Sequence, residues 1–144
     1  MEKVFVNINN ARGRTEYQEQ LIKIAAAGHD PFSLEHIEKY SSKPIIEIRE
    51  HWFIIESSHP YPGSKNHLLI VANNYIETIH EVTEEANNEL LQIEKDLCLK
   101  YKVEGGGIFF RHGNTDFTGA TVTRLHVHFI VPDPDGPTIR IPLG

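Results

Sequence analysis

Gly119-Ala120-Thr121-Val122-Thr123-Arg124-Leu125-His126-Val127-His128 is the stretch of this chain that decides its fold. From Thr123 onward polar and apolar residues alternate, which is typical of a strand because successive side chains of a strand point to opposite faces. The alternation predicts that Arg124, His126 and His128 share one face. A turn of small residues precedes the strand, and its backbone N–H groups can approach an anion without steric hindrance.

Periodic patterns elsewhere in the chain predict the remaining elements. Apolar residues recur at helical spacing after Thr15 and, over the longest run, after Thr83. The predicted elements, in order, are a helix over 15–28, a hairpin over 44–57, a strand over 67–72, a long helix over 83–101 and strands over 107–111 and 122–131. This order favours an α+β fold, an antiparallel sheet with the long helix packed on it. It divides the chain into an N-terminal helical extension (1–43) and a compact domain (44–144).

The composition is that of an ordinary globular domain of 144 residues. Lys and Arg number 14 against 20 Asp and Glu, which gives a formal net charge of −6 and leaves no basic run for coating DNA or RNA. The N-terminus lacks the long apolar core of a signal peptide, and no stretch is apolar over the length that a membrane span needs. We therefore expect a cytoplasmic protein with neither nucleic acid nor membrane as a partner.

The face with Arg124, His126 and His128 permits three interpretations. It can be a solvated strand face with two incidental histidines. It can be a divalent-metal site of His126 and His128, although such a site needs a third ligand and a neighbouring cation opposes it. It can also serve phosphorus chemistry, because a neutral imidazole is a nucleophile near pH 7 and a guanidinium donates paired hydrogen bonds to phosphate. The small-residue turn before the strand favours the phosphate interpretation.

The stretch from Gly119 to His128 resembles the signature of the histidine triad (HIT) superfamily, in which a small-residue turn leads into alternating histidines on a strand. The order of elements over about 44–133, including Pro60-Tyr61-Pro62-Gly63 and His67-Leu68-Leu69-Ile70-Val71, is similar to the family's order. The resemblance implies a nucleotide hydrolase or transferase that cleaves at the α-phosphate of a dinucleoside polyphosphate or nucleoside phosphoramidate. It implies no cofactor and no metal in the catalytic step. It also implies a homodimer, for which Ile108, Phe109 and Phe110 offer an apolar sheet edge.

The resemblance further implies a role for each matching residue. His126 matches the nucleophile that forms a covalent nucleotidyl-histidine, and His128 matches the third histidine, which contacts the phosphate or the leaving-group oxygen. The positions expected to bind phosphate are Arg124, Thr121, Gly119, His67 and Asn114. Glu56 and Ser57 on the hairpin are the candidates for ribose contacts.

Two departures from the family pattern bear on function. Arg124 stands at the first triad position, so a backbone carbonyl is left to hold His126 in place. Asp30-Pro31-Phe32-Ser33 stands where many relatives carry a Cys-x-x-Cys zinc element. We therefore expect no structural zinc, and we expect His29 and His36 to be solvated. The alternatives are a nucleotide-binding or sensing module on the same fold, in which Arg124 provides phosphate affinity, and a divalent-metal protein using His126 and His128.

Overall fold

Five antiparallel strands form one sheet in the order β1-β2-β3-β5-β4. The computed structural model describes residues 3–11 and 13–144, and all structural statements refer to this part of the chain. The strands are β1 (Glu47–Ile48), β2 (Trp52–Glu56), β3 (Ser64–Ala72), β4 (Gly107–Phe109) and β5 (His126–Pro132). The helices are α1 (Thr15–Ala26), α2 (Leu34–Tyr40), α3 (Glu84–Lys100) and α4 (Thr115–Thr118), with 3-10 turns at Ile8–Ala11 and Ile79–Glu81. The predicted α+β class, with an antiparallel sheet and one long helix, is confirmed.

The pairing of β3 with β5 at the centre of the sheet determines which side chains share a face. His126 lies opposite Val71, His128 opposite Leu69, and His67 opposite Ile130. Paired residues of an antiparallel ladder project to the same side of the sheet. The three histidines therefore lie on one face, which we call the histidine face.

The opposite face of the sheet packs on α3. This helix begins after Thr83, whose side chain accepts a hydrogen bond from the backbone N–H of Ala86. The Trp52 indole N–H donates to the carbonyl of Ala86 at 2.7 Å, which joins β2 to the first turn of α3. The buried cluster between helix and sheet includes Ile54, Leu68, Ile70, Leu90, Ile93, Leu97, Leu125, Val127 and Phe129. Burial of these side chains provides the main hydrophobic core.

The N-terminal helices cover the histidine face. Ile37 of α2 packs on Phe53, Leu69 and Val71 of the sheet. Leu21 of α1 belongs to a separate buried cluster with Val6, Ala11 and Val122. This second cluster brings α1 and residues 6–11 against the segment that leads into β5.

The structure also differs from the sequence-based expectation in three places. The strand predicted over 122–131 begins only at His126, because the preceding backbone pairs elsewhere: Thr123 N donates to Phe5 O and Leu125 N to Ile76 O. Helices α2 and α4 were not predicted, since seven and four residues are too few for a helical period to be recognised.

None of the described helices has the length and apolar character needed to cross a membrane.

Candidate active site

A cleft of about 1050 Å³ separates the histidine face from the N-terminal helices. Its walls come from β2, β3 and β5 on one side and from α1 and α2 on the other, and they include His67, His126 and His128. The structure thus brings together the three histidines that the sequence singled out. A cavity of this size accommodates a small organic ligand.

His126 is held by the backbone in one orientation. Its Nδ1 lies 2.7 Å from the carbonyl oxygen of Arg124, which can only accept a hydrogen bond, so Nδ1 carries the proton. The neutral ring then has its lone pair on Nε2. The ring edge packs against Phe32, with centroids 4.8 Å apart and planes at 81°. A backbone carbonyl therefore holds His126, as the sequence analysis expected in the absence of a first histidine.

Burial keeps His126 neutral over a wide pH range. The pKa of His126 is lowered to about 4, and desolvation by burial is the main cause. The hydrogen bond to the Arg124 carbonyl opposes this shift, the charge of Arg111 adds to it, and the charge of Asp30 opposes it. An unperturbed histidine titrates near pH 6.5. Because the neutral form is the nucleophilic one, this environment suits attack on an electrophile at neutral pH.

His128 belongs to a chain of three groups whose proton positions follow from one backbone donor. The N–H of Tyr61 donates to Nδ1 of His67 at 3.1 Å, so the neutral His67 carries its proton on Nε2. His67 Nε2 lies 2.9 Å from Nδ1 of His128 and donates to it. The remaining proton of His128 is then on Nε2, where it can donate to a ligand. Burial lowers the pKa of His67 to about 4 and that of His128 to about 2.

Aromatic rings fix the plane of His128. Phe109 stacks on it with centroids 4.6 Å apart and planes within 1°, and Tyr61 is nearly parallel to it at 5.8 Å. The hydrogen bond from His67 and these two rings leave His128 little freedom to rotate. His128 is thus a hydrogen-bond donor of fixed orientation.

Arg124 does not occupy the position that a phosphate ligand needs. It is buried, and its Nε donates to Oδ2 of Asp30 at 2.7 Å. Its Nη1 donates to the carbonyls of Ala72 and Asn73 at 2.9 and 3.0 Å. Arg124 is also not among the residues that line the cleft. The geometry therefore does not favour Arg124 as a phosphate ligand, because its Nε and Nη1 are bonded to a carboxylate and to the end of β3.

The turn before β5 faces the cleft through Gly119 and Thr121. Gly119 ends α4 in a left-handed conformation with φ of 78°, which only glycine adopts without strain. A side chain there would also meet the carbonyl oxygen of Gly144, 2.9 Å from the position of a Cβ atom. The Thr121 hydroxyl lies 2.7 Å from the hydroxyl of Tyr17. Gly119 and Thr121 therefore both lie on the wall of the cleft that contains the three histidines.

The remaining predicted ligand residues, Asn114, Glu56 and Ser57, differ in whether they line the cleft. Asn114 caps α4, its side chain accepting from the N–H of Asp116, and it is not among the cleft residues. Glu56 and Ser57 do line the cleft. Glu56 pairs with Lys43 at 3.4 Å, and the hydroxyl of the buried Ser57 accepts a hydrogen bond from His59 N. The geometry therefore leaves Glu56 and Ser57 as ribose candidates and does not favour Asn114 as a phosphate ligand.

Sequence reasoning missed several residues of the site because they come from distant parts of the chain. Asp30 bonds the side chain of Arg124, and Phe32 packs against the ring of His126. Tyr17 contacts Thr121, which is 104 residues away in the chain. Nothing in the local pattern around these residues indicates such partners. His29 and His36, expected to be solvated, line the cleft beside α2, and His36 is half-buried.

One cluster of potential metal ligands was found among the described residues, and it lies away from the histidine face. It consists of Glu50, His51 and Glu89. The carboxylate of Glu89 accepts hydrogen bonds from the backbone N–H groups of Glu50, His51 and Trp52. These bonds give Glu89 a structural role in holding the β1–β2 turn on α3. Neither His126 nor His128 belongs to this cluster.

Comparisons with known proteins agree with this geometry. The family model described as the HIT domain matches residues 45–135. No curated protein matches the chain. The matched region contains the sheet, α3, the turn at Gly119 and the histidines of β5, and it excludes α1 and α2.

Solved structures share the fold at low sequence identity. A HIT family hydrolase from Clostridium thermocellum is 22% identical with a TM-score of 0.53, covering 72% of this chain and 91% of that one. A histidine triad nucleotide-binding protein from Candida albicans is 16% identical with a TM-score of 0.56, covering 75% and 80%. A diadenosine triphosphate hydrolase from Plasmodium falciparum is 15% identical with a TM-score of 0.54, covering 70% and 67%. At these identities the likeness concerns the fold.

Proposed function

Because the chain belongs to the HIT domain family, we propose that it is a nucleotide hydrolase or nucleotidyltransferase. It cleaves at the α-phosphate of a nucleotide conjugate, of the dinucleoside polyphosphate or nucleoside phosphoramidate class. The reaction passes through a covalent nucleotidyl-His126 intermediate. Structures of similar fold include a HIT family hydrolase and a diadenosine triphosphate hydrolase, which is consistent with this class of reaction.

The observation that carries the proposal is the hydrogen bond from His126 Nδ1 to the Arg124 carbonyl at 2.7 Å. It places the lone pair of the half-buried neutral ring on Nε2. In the first step Nε2 forms a bond to phosphorus while the bond from phosphorus to the leaving group breaks, and the leaving group takes the electron pair. The ring becomes positively charged, and the Arg124 carbonyl stabilises that charge through the Nδ1 proton.

The second step releases the nucleotide. Water, or another hydroxyl acceptor, forms a bond to phosphorus as the phosphorus–Nε2 bond breaks. The electron pair returns to Nε2, and the proton of the acceptor leaves to solvent. A water acceptor makes the protein a hydrolase, and a second substrate makes it a transferase.

His128 and the turn at Gly119 act on the charge that develops on the phosphate oxygens and on the leaving group. His128 donates from Nε2 in the orientation set by His67 and Phe109. Thr121 and the turn backbone supply further donors. Fixed donors in a site shielded from water stabilise such charge without having to reorient.

The alternative of a nucleotide-binding module is less well supported by the geometry. It depended on Arg124 contacting phosphate, and the guanidinium instead binds Asp30 and two carbonyls. The divalent-metal alternative is also less well supported, since the one cluster of three potential metal ligands among the described residues includes neither His126 nor His128. The enzyme is therefore the function that the site supports best.

The test is to incubate the protein with diadenosine triphosphate and with adenosine phosphoramidate and to follow nucleotide release. We expect turnover of at least one substrate, and an intact-mass increase of one nucleotidyl group after acid quench. His126→Ala removes both, while His80→Ala, a matched change of an exposed histidine, leaves both intact. Absence of turnover, or turnover unaffected by His126→Ala, would overturn the proposal.

A further inference from the structure

Helix α1 lies outside the region that matches the family model, yet it forms part of the cleft wall. Its cleft residues include apolar ones, Leu21, Ile24 and Ala27, and polar or charged ones, Arg14, Tyr17, Gln20 and Lys23. Tyr17 contacts Thr121, so the start of α1 lies next to the turn at Gly119–Thr121.

Direct hydrogen bonds hold the N-terminal segment on this turn. Asn7 N donates to Thr121 O at 2.8 Å, and the Asn10 side chain donates to Ala120 O at 2.6 Å. Val6 forms a strand bridge with Val122. The start of α1 thus has a defined position relative to the turn.

Tyr17 contacts the predicted phosphate-binding residue itself. Its hydroxyl lies 2.7 Å from Oγ1 of Thr121. When Tyr17 donates this bond, the Thr121 hydroxyl keeps its own proton for a phosphate oxygen. Burial raises the pKa of Tyr17, which keeps the phenol protonated as this role requires.

Arg14 places a positive charge at the same end of the cleft. Its guanidinium carbon lies 4.3 Å from the centre of the Tyr17 ring. Burial, followed by the charge of Arg14, lowers the pKa of His59, whose ring is 4.4 Å from that of Tyr17. Arg14 is therefore within electrostatic reach of the turn and of the loop after β2.

The charge balance of the cleft differs from that of the chain. The cleft residues include four cations, Arg14, Lys23, Lys43 and Arg111, and one carboxylate, Glu56, in a chain of formal net charge −6. Lys43 pairs with Glu56, and Arg111 donates to Pro142 O. Among the described residues, no ion pair involves Arg14 or Lys23, both of which belong to the N-terminal extension. Local cations in a cleft concentrate an anionic ligand even when the whole protein is acidic.

We propose that Arg14, stacked on the ring of Tyr17, forms an anion subsite at the start of α1, which binds a phosphate group beyond the one attacked by His126. The subsite takes a leaving group that itself bears phosphate, so the enzyme favours polyphosphate-linked nucleotides over phosphoramidates. This inference rests on the proposed function for the position of the attacked phosphate. In this proposal α1, which lies outside the region matched by the family model, takes part in binding the substrate.

The first experiment measures binding by calorimetry in the His126→Ala background, where the proposed turnover is absent. AMP carries one phosphate and ATP carries three, so only ATP can reach both sites. We expect Arg14→Ala to weaken ATP binding by about tenfold and to leave AMP binding within about twofold. Tyr17→Phe keeps the ring under Arg14 but removes the hydroxyl, and we expect it to weaken both ligands.

The matched control is Lys95→Ala, which removes one exposed positive charge from α3 on the opposite side of the sheet. It is expected to change neither affinity. Arg14 has no side-chain capping bond on α1, so its removal costs the helix no such bond. An equal loss of AMP and ATP affinity in Arg14→Ala, or no loss of either, overturns the subsite.

The second experiment uses the active protein and compares kcat/KM for diadenosine triphosphate with that for adenosine phosphoramidate. Arg14→Ala is expected to lower the first about tenfold and to leave the second within about twofold. A uniform loss on both substrates overturns the subsite. If neither substrate is turned over by the wild type, the proposed function fails, and the binding experiment still decides the subsite.

Discussion

At the scale of single residues, the hydrogen bonds of Arg124 show what this residue does at the position where the family pattern has its first histidine. The carbonyl of Arg124 orients His126. Its guanidinium bonds the carboxylate of Asp30 and the carbonyls of Ala72 and Asn73 at once, because its donors point in fixed directions. We therefore regard Arg124 and Asp30 as positioning residues that act through His126.

Asp30→Asn tests this positioning role. The substitution leaves the buried guanidinium of Arg124 without an opposite charge, so we expect the free energy of unfolding to fall by about 3 kcal/mol. Because the Arg124 carbonyl then shifts relative to His126, we also expect kcat to fall about tenfold with a smaller change in KM. Chemical denaturation and steady-state kinetics measure the two effects.

Asp135→Asn, at an exposed position, serves as the control and is expected to change neither quantity. Arg124→Lys is expected to resemble Asp30→Asn, since an ammonium group does not reproduce the bonds of the guanidinium. A variant Asp30→Asn with wild-type kcat would contradict the positioning role.

The pH dependence of the reaction tests the state of His126. Burial lowers its pKa to about 4, so the neutral ring persists as the pH falls through 6.5 and is lost only near pH 4. We expect kcat/KM for diadenosine triphosphate to stay level from pH 8 to about 5 and to fall below that. This substrate has no terminal phosphate whose ionisation would overlap the profile.

Circular dichroism at each pH verifies that the protein remains folded during this experiment. An acid limb near pH 6.5 in the folded protein would show that His126 titrates as an exposed histidine does. That outcome would contradict the buried, neutral nucleophile.

At the scale of elements, the turn between α4 and β5 is the part most sensitive to substitution. Gly119 has φ of 78°, and a Cβ atom there would approach the carbonyl oxygen of Gly144 to 2.9 Å. We expect Gly119→Ala to displace the turn and to weaken AMP binding at least fivefold, a loss of about 1 kcal/mol. Calorimetry with AMP measures the effect.

Gly105→Ala is the matched control, since no atom lies within 4 Å of the position of its Cβ. It is expected to leave AMP binding unchanged. Unchanged binding in Gly119→Ala would show that the turn does not contact the phosphate.

The elements also show where periodicity is informative. Helix α3 follows the predicted bounds closely, because its capping threonine and its apolar spacing agree over seventeen residues. Helix α2 escaped prediction, although Ser33 caps it, because seven residues present barely two turns. The start of β5 was placed too early because alternation alone does not reveal that the N–H groups of Thr123 and Leu125 donate to Phe5 and Ile76, which lie outside the strands.

At the scale of the whole molecule, β4 lies at the edge of the sheet, and apolar residues near it are exposed. Ile108 of β4 is 46% exposed and Leu99 of α3 is 80% exposed. An unpaired edge with apolar neighbours favours pairing with a second copy. We expect a homodimer, with a mass in solution of twice 16.4 kDa by light scattering.

Ile108→Lys is expected to shift the protein towards the monomer, because a charge at the edge opposes strand pairing. Ile141→Lys changes an equally exposed isoleucine of the C-terminal segment, also 46% exposed, and is expected to leave the dimer intact. A wild-type mass equal to one chain would contradict the dimer.

The sequence by itself determined the antiparallel α+β fold, the long helix and the common face of His126 and His128. These features follow from alternation and helical spacing, which are local properties of the chain. The tertiary structure decided the partner of Arg124 and the contact of Tyr17 with Thr121, since these pairs are separated by 94 and 104 residues. No period connects such positions, and only the packing of the N-terminal helices over the sheet brings them together. For this reason the two histidines of the strand could be predicted from the sequence, whereas the way the site is completed could not.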